Sequence, residues 1–193
     1  MSRMFLQTSL SRMVSKLPKR RILGIDPGLA STGWGVLDED GGNIRYIDHG
    51  IITTKADQLR ADRLFFILQS IRSIIEKYKP THAAIENLYF GKNVSSAIPV
   101  AEARGVISAA VAEKGIPLTE LTPNSIKAGV SGSAAADKKQ VQEMVRILLG
   151  LEKAPKSDHA ADALAAAICI VNTEPQPSKS QTSEGSPLDL ALR

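Results

Sequence analysis

The chain has 193 residues, 43% apolar, 23% charged and 4% aromatic, with one cysteine and a formal net charge of +4. A chain of this size buries roughly 70% of its unfolded surface, so it folds as one ordinary domain without needing disulfides or a structural metal. The single Cys169 cannot form an internal bridge that would point to an oxidising compartment, and no apolar run approaches the roughly 20 residues that span a bilayer.

Residues 1–21 carry six basic residues and no acidic one, whereas 22–172 carries 16 basic against 17 acidic, and 173–193 two against three. All of the excess charge therefore sits on the leader, and the basic balance alone says nothing of what the rest binds. Residues 1–20 lack a continuous apolar stretch and so do not read as a secretory signal. They read as a disordered basic arm, an organellar transit-like segment, or residues ahead of a later start at Met4 or Met13. Residues 173–193, rich in Pro, Ser, Thr and Gln, read as a disordered tail. The domain is expected over 21–172.

Within it, RILGID (21–26) is a short buried strand ending at a turn, and GWGVLDE followed by 44–54 reads as two further strands joined at Gly41-Gly42. Apolar residues at 64, 67, 68, 71, 74, 75 and 78 follow the helical period from Leu59 to Tyr78, with Pro80 beyond the end. THAAIE (81–86) is a fourth strand. A small-residue helix is expected from Ser96 to Lys114, with Pro99 tolerated in its first turn, and IPLTEL then supplies a fifth strand. A short helix near 123–128, a loop at 129–136, a helix from Lys138 to Leu149 and a last helix from about Asp158 to Val171 complete the pattern. The fold class is α/β: a five-stranded mixed sheet with helices on both faces, whose ligands gather beyond the carboxyl ends of the central strands.

Two acids end two such strands. Asp26, before Pro27-Gly28, either caps its turn or holds a cation, and Glu86 ends the apolar string HAAIE, where an unpaired carboxylate is costly. If the strands are adjacent, the two acids repel unless a cation lies between them. In SDHAADALAAAICI, His159 and Asp162 share a helix face, as do Asp158 and Asp162, and the alanines let that face approach the sheet. The alternative is that Ser157 or Asp158 caps the helix and His159 lies on the surface. Together the groups suit Mg²⁺ or Mn²⁺, the imidazole tilting toward Mn²⁺. Asp137 and Gln140 form a capping pair that sets Lys138 and Lys139 in a helix's first turn, where they oppose the helix dipole but can hold a phosphate.

GIDPG, AIEN with aromatics just after it, EARGV, the Lys127 to Lys138 spacing, KKQVQEMVRILL and HAADALAAAI together resemble the RuvC Holliday junction resolvases of the ribonuclease H-like superfamily, over about residues 21–172. The resemblance implies that the four metal-binding positions fall on Asp26, Glu86, His159 and Asp162, with His159 a departure from the aspartate of many members and Asp158 the alternative ligand. It implies a ribonuclease H-like sheet and a Mg²⁺-dependent, two-metal endodeoxyribonuclease that resolves four-way DNA junctions by paired symmetric nicks, leaving 5′-phosphate and 3′-hydroxyl ends. It puts Tyr89 in the place of an aromatic that stacks on an unpaired base, with Phe90 behind it and Lys92 beside it, and Lys127, Lys138 and Lys139 near the scissile phosphate. It also implies a homodimer matching the junction's twofold symmetry, for which the helix from Ser96 to Lys114 is the candidate face, a branch-migration complex as partner, and a bacterial-type cytoplasmic protein without a membrane anchor. Two other classes stand beside it. DPGLASTG resembles the first phosphate loop of actin- and sugar-kinase-like proteins, although the chain is short for their two-lobed cleft. A catalytically silent junction binder would keep Tyr89 and the lysines.

Overall fold

The computed structural model describes residues 19–87 and 94–173. Strands β1 (Arg20–Asp26), β2 (Ser31–Asp40) and β3 (Asn43–Thr53) are followed by helix α1 (Arg60–Tyr78), strand β4 (His82–Glu86), helix α2 (Val94–Glu113) and strand β5 (Leu118–Leu121), then helices α3 (Pro123–Ser131), α4 (Lys138–Leu148) and α5 (Asp158–Thr173). The sheet order is β3-β2-β1-β4-β5. The first three strands are antiparallel neighbours, and β1-β4 and β4-β5 are parallel, giving the mixed sheet that the sequence leads one to expect.

Alternation along the strands sorts two cores. Leu23, Ile25, Val36 and Ile85 face α1 and α2, with Ile67, Ile71 and Ile107 packed among them. Ile22, Leu37 and Ala84 face α3, α4 and α5, with Ile126, Val145, Leu164 and Ile168. Helices thus cover both faces. The Gly41-Gly42 turn closes the β2-β3 hairpin with both residues at positive φ, 59° and 86°, which a side chain disfavours.

Several boundaries differ from expectation. The strand begins at Arg20 rather than 21, because Arg20 and Glu39 form a buried ion pair across β1 and β2, with an Nε to Oε2 distance of 2.9 Å. Arg21 bonds Asp38 and Lys19 pairs with Asp40, so three of the leader's six basic residues are neutralised by consecutive acids of β2. Helix α2 starts at Val94, which makes Pro99 its sixth residue and puts it beyond the first turn. The proline costs the bond to the Ser95 carbonyl, close to the helix end, rather than one deep in the ladder. Helix α3 runs to Ser131 and is closed by Gly132 at φ 77°, and α5 extends to Thr173, one residue into the expected tail.

Helix α5 packs unusually close to the sheet. A Cβ on Gly24 would lie 1.9 Å from the Ala163 carbonyl oxygen, and one on Gly33 would lie 2.0 Å from that of His159. Neither helix nor strand can yield without moving the other. Gly33→Ala and Gly24→Ala are therefore expected to destabilise the fold by at least about 1–3 kcal/mol, the scale of core overpacking, as read from urea unfolding midpoints.

Candidate active site

Asp26 is the last residue of β1 and Glu86 the last of β4. The parallel register that pairs Ile25 with Ile85 sets the two acids side by side, on the sheet face that carries Ile22, Gly24 and Ala84. That is the face covered by α5. His159, in its first turn, brings Nδ1 to 2.6 Å from Asp26 Oδ2. The turn after β1 is closed by Thr32, whose Oγ1 accepts from the Gly28 amide and donates to the Gly28 carbonyl.

Asp162 and Glu86 line a cleft of about 260 Å³ with Lys127, Lys138, Pro123 and Ile126. Lys138 Nζ stands 3.0 Å from Asp158 Oδ2 and 3.3 Å from Asp162 Oδ2. The Asp137–Gln140 capping box that presents it is present in both directions. Asp158 lies in the first turn of α5 and turns toward α4, where Gln142 donates to it at 2.8 Å. His159, rather than Asp158, is the neighbour of Asp26. Lys139 is exposed and is not among the residues lining the cleft. Tyr89, Phe90 and Lys92 lie outside the described residues. Thr32 and Gln142 are contributions that reading by motif overlooks. Gln142 was open to recognition, since it lies four residues after Lys138 on the same helix face.

Three carboxyls in and beside this cleft have raised pKa values. Burial lifts Glu86 to about 7, with the charges of Asp26 and Asp162 adding to it and Lys138 opposing. Burial also raises Asp26 against the counter-pull of His159, and Asp162 against that of Lys138. Lys138 is held above its ordinary value, since the pull of Asp158 and Asp162 outweighs burial. The carboxyls thus share one electrostatic field that calls for positive charge. As the side chains stand, no three His, Cys, Asp or Glu among the described residues are gathered tightly enough to hold an ion, because Asp26 is engaged by His159 and Asp162 by Lys138. The donors themselves, hard carboxylate oxygens with one imidazole and one displaceable ammonium, fit a Mg²⁺- or Mn²⁺-type cation.

The raised value at Glu86 has a consequence for stability. In the folded chain this carboxyl keeps its proton up to about pH 7, against an ordinary value of 4.5, so the folded state binds more protons between those limits. Raising the pH through that window therefore removes stability. In a chelator, Glu86→Gln is expected to melt higher than the parent at pH 8, with the difference closing near pH 4, as followed by differential scanning fluorimetry.

The description "Crossover junction endodeoxyribonuclease RuvC" belongs to the family model that matches residues 22–170. A protein of that name from Chloroflexus aggregans is 50% identical over 155 residues, covering 80% of this chain and 94% of the relative. Among solved structures, Thermus thermophilus RuvC in complex with a Holliday junction substrate superposes with a TM-score of 0.75 at 29% identity, covering 79% of this chain and 93% of that one. The yeast mitochondrial Holliday junction resolvase shares the fold, with a TM-score of 0.59 at 17% identity over 86% of each chain. The sheet is thus the ribonuclease H-like one, and the chain belongs to the RuvC family of crossover junction endodeoxyribonucleases, which are nucleases dependent on divalent metal ions.

Proposed function

We propose that this endodeoxyribonuclease resolves four-way DNA junctions in recombination and repair by paired symmetric nicks, with Asp26, Glu86, His159 and Asp162 holding two Mg²⁺ ions for which Mn²⁺ can substitute. The observation that carries the reading is the convergence of three acids from three separate elements on one cleft edge: Asp26 beside Glu86, and Asp162 on the cleft wall with Glu86. A junction-bound relative of the same fold supports the substrate class. When bound, the ions would activate the attacking water and stabilise the leaving 3′ oxygen, giving 5′-phosphate and 3′-hydroxyl ends.

The chain's own residues do the positioning. Asp26 and Glu86 sit on paired central strands, which fix their separation better than a loop would. The His159 ring has one nitrogen toward Asp26 and is about half exposed (49%), so it can pass a proton between the cleft and solvent. Lys138 exchanges its two carboxylates for the phosphodiester oxygens as substrate enters, and Lys127, with no ion-pair partner among the described residues, joins it there. Tyr89 stacks on an unpaired base at the crossover, a contact worth about 1–3 kcal/mol, and Phe90 and Lys92 serve the same DNA contact. Lys139 takes a more distant phosphate.

Two active sites are needed for paired nicks, and a homodimer supplies them in the junction's own symmetry. Phe65 and Phe66 on α1, exposed at 56% and 50%, and Ile98 on α2, exposed at 49%, support a second copy on that side of the sheet. A branch-migration complex delivers the junction. The protein acts in a bacterial-type cytoplasm, and none of the described helices is long and apolar enough to cross a membrane.

With a synthetic mobile junction and Mg²⁺ or Mn²⁺, the parent is expected to give symmetric nicks on a denaturing gel. Asp26→Asn and Glu86→Gln should lose roughly 100- to 1,000-fold in rate, the scale of removing one preorganised charge-stabilising group. His159→Asp should retain cleavage. Tight binding without cleavage in either metal would favour the silent junction binder instead. Tyr89→Ala should slow junction cleavage while leaving duplex binding within about twofold, as judged by single-turnover rates and gel shift; equal cleavage by the two proteins removes the stacking role.

A further inference from the structure

A second cleft, of about 390 Å³, is bordered by His159 and lined by Gly28, Ser31, Arg60, Arg63 and Pro99. Its place follows from the sheet order. Glu86 lies on the β4 side of Asp26, whereas Gly28 and Ser31 belong to the β1-β2 connection on the opposite side. The two clefts therefore flank the Asp26–His159 pair along the carboxyl edge of the sheet, one edged by Lys127 and Lys138 and the other by Arg60 and Arg63.

Arg63 is presented differently from a solvated surface charge. Arg60 and Arg63 are three residues apart in the first turn of α1 and so share a face, where two cations oppose the helix dipole and bring the helix no stability. Arg63 Nε donates to Thr54 Oγ1 at 2.8 Å, and Thr54 is buried and tied twice to the loop after Asp26: its Oγ1 donates to the Leu29 carbonyl at 2.6 Å and its amide donates to the Ala30 carbonyl at 3.1 Å. The guanidinium is thereby fixed on the loop that leaves the candidate active site. Among the described residues its two Nη groups have no hydrogen-bond partner, so a fork of donors is left over on a residue that lines the cleft. Arg60 Nη1 reaches Glu102 Oε1 at 3.4 Å, a long and exposed pair of the kind that contributes little and that a phosphate can displace. Asp62 lies in the same helical turn but is not among the residues lining the cleft.

We infer that the second cleft is a phosphodiester subsite for the cleaved strand, on the far side of the scissile phosphate from Lys127 and Lys138, with the fork of Arg63 gripping one phosphate and Arg60 the next. The inference rests on the proposed junction cleavage and extends it: the strand crosses the sheet edge from the lysines, over Asp26, to the arginines. A planar guanidinium suits two phosphate oxygens at once, which an ammonium cannot match.

The test uses Glu86→Gln protein, to hold the junction uncut, and measures its affinity for a labelled four-way junction from 50 to 300 mM salt. Adding Arg63→Gln should weaken binding at least about fivefold and reduce the slope of log affinity against log salt by about 1, with a reduction of about 2 when Arg60→Gln is added as well. Arg63→Lys, which loses the Nε bond to Thr54 but keeps the charge, should retain most of the slope; a loss equal to that of Arg63→Gln would mean that the residue acts only through Thr54, and would overturn the inference. In phosphate-ethylation interference, the double arginine variant should lose interference on one side of the cleavage position, and Lys127→Gln with Lys138→Gln on the other. Unchanged slope and interference in the arginine variants would sink the subsite while leaving the nuclease reading intact. A parent that neither binds nor cuts the junction would remove both.

Discussion

Helix α5 lies so close to β1 and β2 that the carbonyl oxygens of Ala163 and His159 fill the space where side chains at Gly24 and Gly33 would be. Gly33 is the register partner of Asp26, so the position that must lack a side chain is the one facing the acid across the strands. With a Cβ there, the first turn of α5 would have to lift, and the 2.6 Å contact between His159 and Asp26 would open. The helix side of the contact is equally stripped: Ala160, Ala161, Ala163 and Ala167 are fully or almost fully buried. Small residues on both partners let a helix that begins with Asp158, His159 and Asp162 deliver its polar first turn to the edge of a sheet. The arrangement of the candidate site is thus a by-product of interlayer distance.

That arrangement is electrostatically unfavourable in isolation. Burial alone raises the pKa of Asp26, Glu86 and Asp162, and their mutual repulsion raises Glu86 further. The chain answers with two internal partners that are easily displaced, the imidazole of His159 on Asp26 and the ammonium of Lys138 on Asp162. Neither partner is deeply buried, at 49% and 53% side-chain exposure, so neither contact carries the cost of desolvating a full ion pair. By contrast, Arg20 and Glu39 at the other end of β1 and β2 form a permanent pair, sealed at 3% and 2% exposure. The same two strands therefore hold a closed salt bridge at one end and an open, cation-seeking cluster at the other.

Much of this was legible in the sequence. Strand-ending Asp26 and Glu86 were readable because an acid at the end of an apolar run is costly without a reason, and the hairpin followed from Gly41-Gly42. The pairing of His159 with the strand, and the turning of Asp158 toward α4, could not be read from helical periodicity, because residues one apart differ by only about 100° and the rotation depends on how α5 meets the sheet. Pro99 is a related case: a proline favours the first turn of a helix, whereas α2 tolerates it one turn further in. The arginines of α1 carry no signal in the sequence because their significance lies in Thr54, which is far from Asp26 along the chain and bonds the loop after Asp26 only once β3 has paired with β2.

The net charge illustrates how far composition can stand from function. Of the basic residues that make the leader positive, Lys19, Arg20 and Arg21 are cancelled by Asp40, Glu39 and Asp38 along the β1-β2 edge. That edge is the end of β1 remote from Asp26, so these charges offer nothing to a strand lying across the carboxyl edge. The basic residues that line the two clefts at the carboxyl edge are instead few and separate: Lys127 and Lys138 in one, and Arg60 and Arg63 in the other. Lys138 and Arg60 meet carboxylates nearby, and the total over 22–172 stays close to neutral. A polyanion threaded between such groups meets positive charge at its phosphates and negative charge only where cations are to be held. Alternation of this kind aligns one phosphate with the acids and holds its neighbours on either side, a task for which a uniformly basic surface would be a poor instrument.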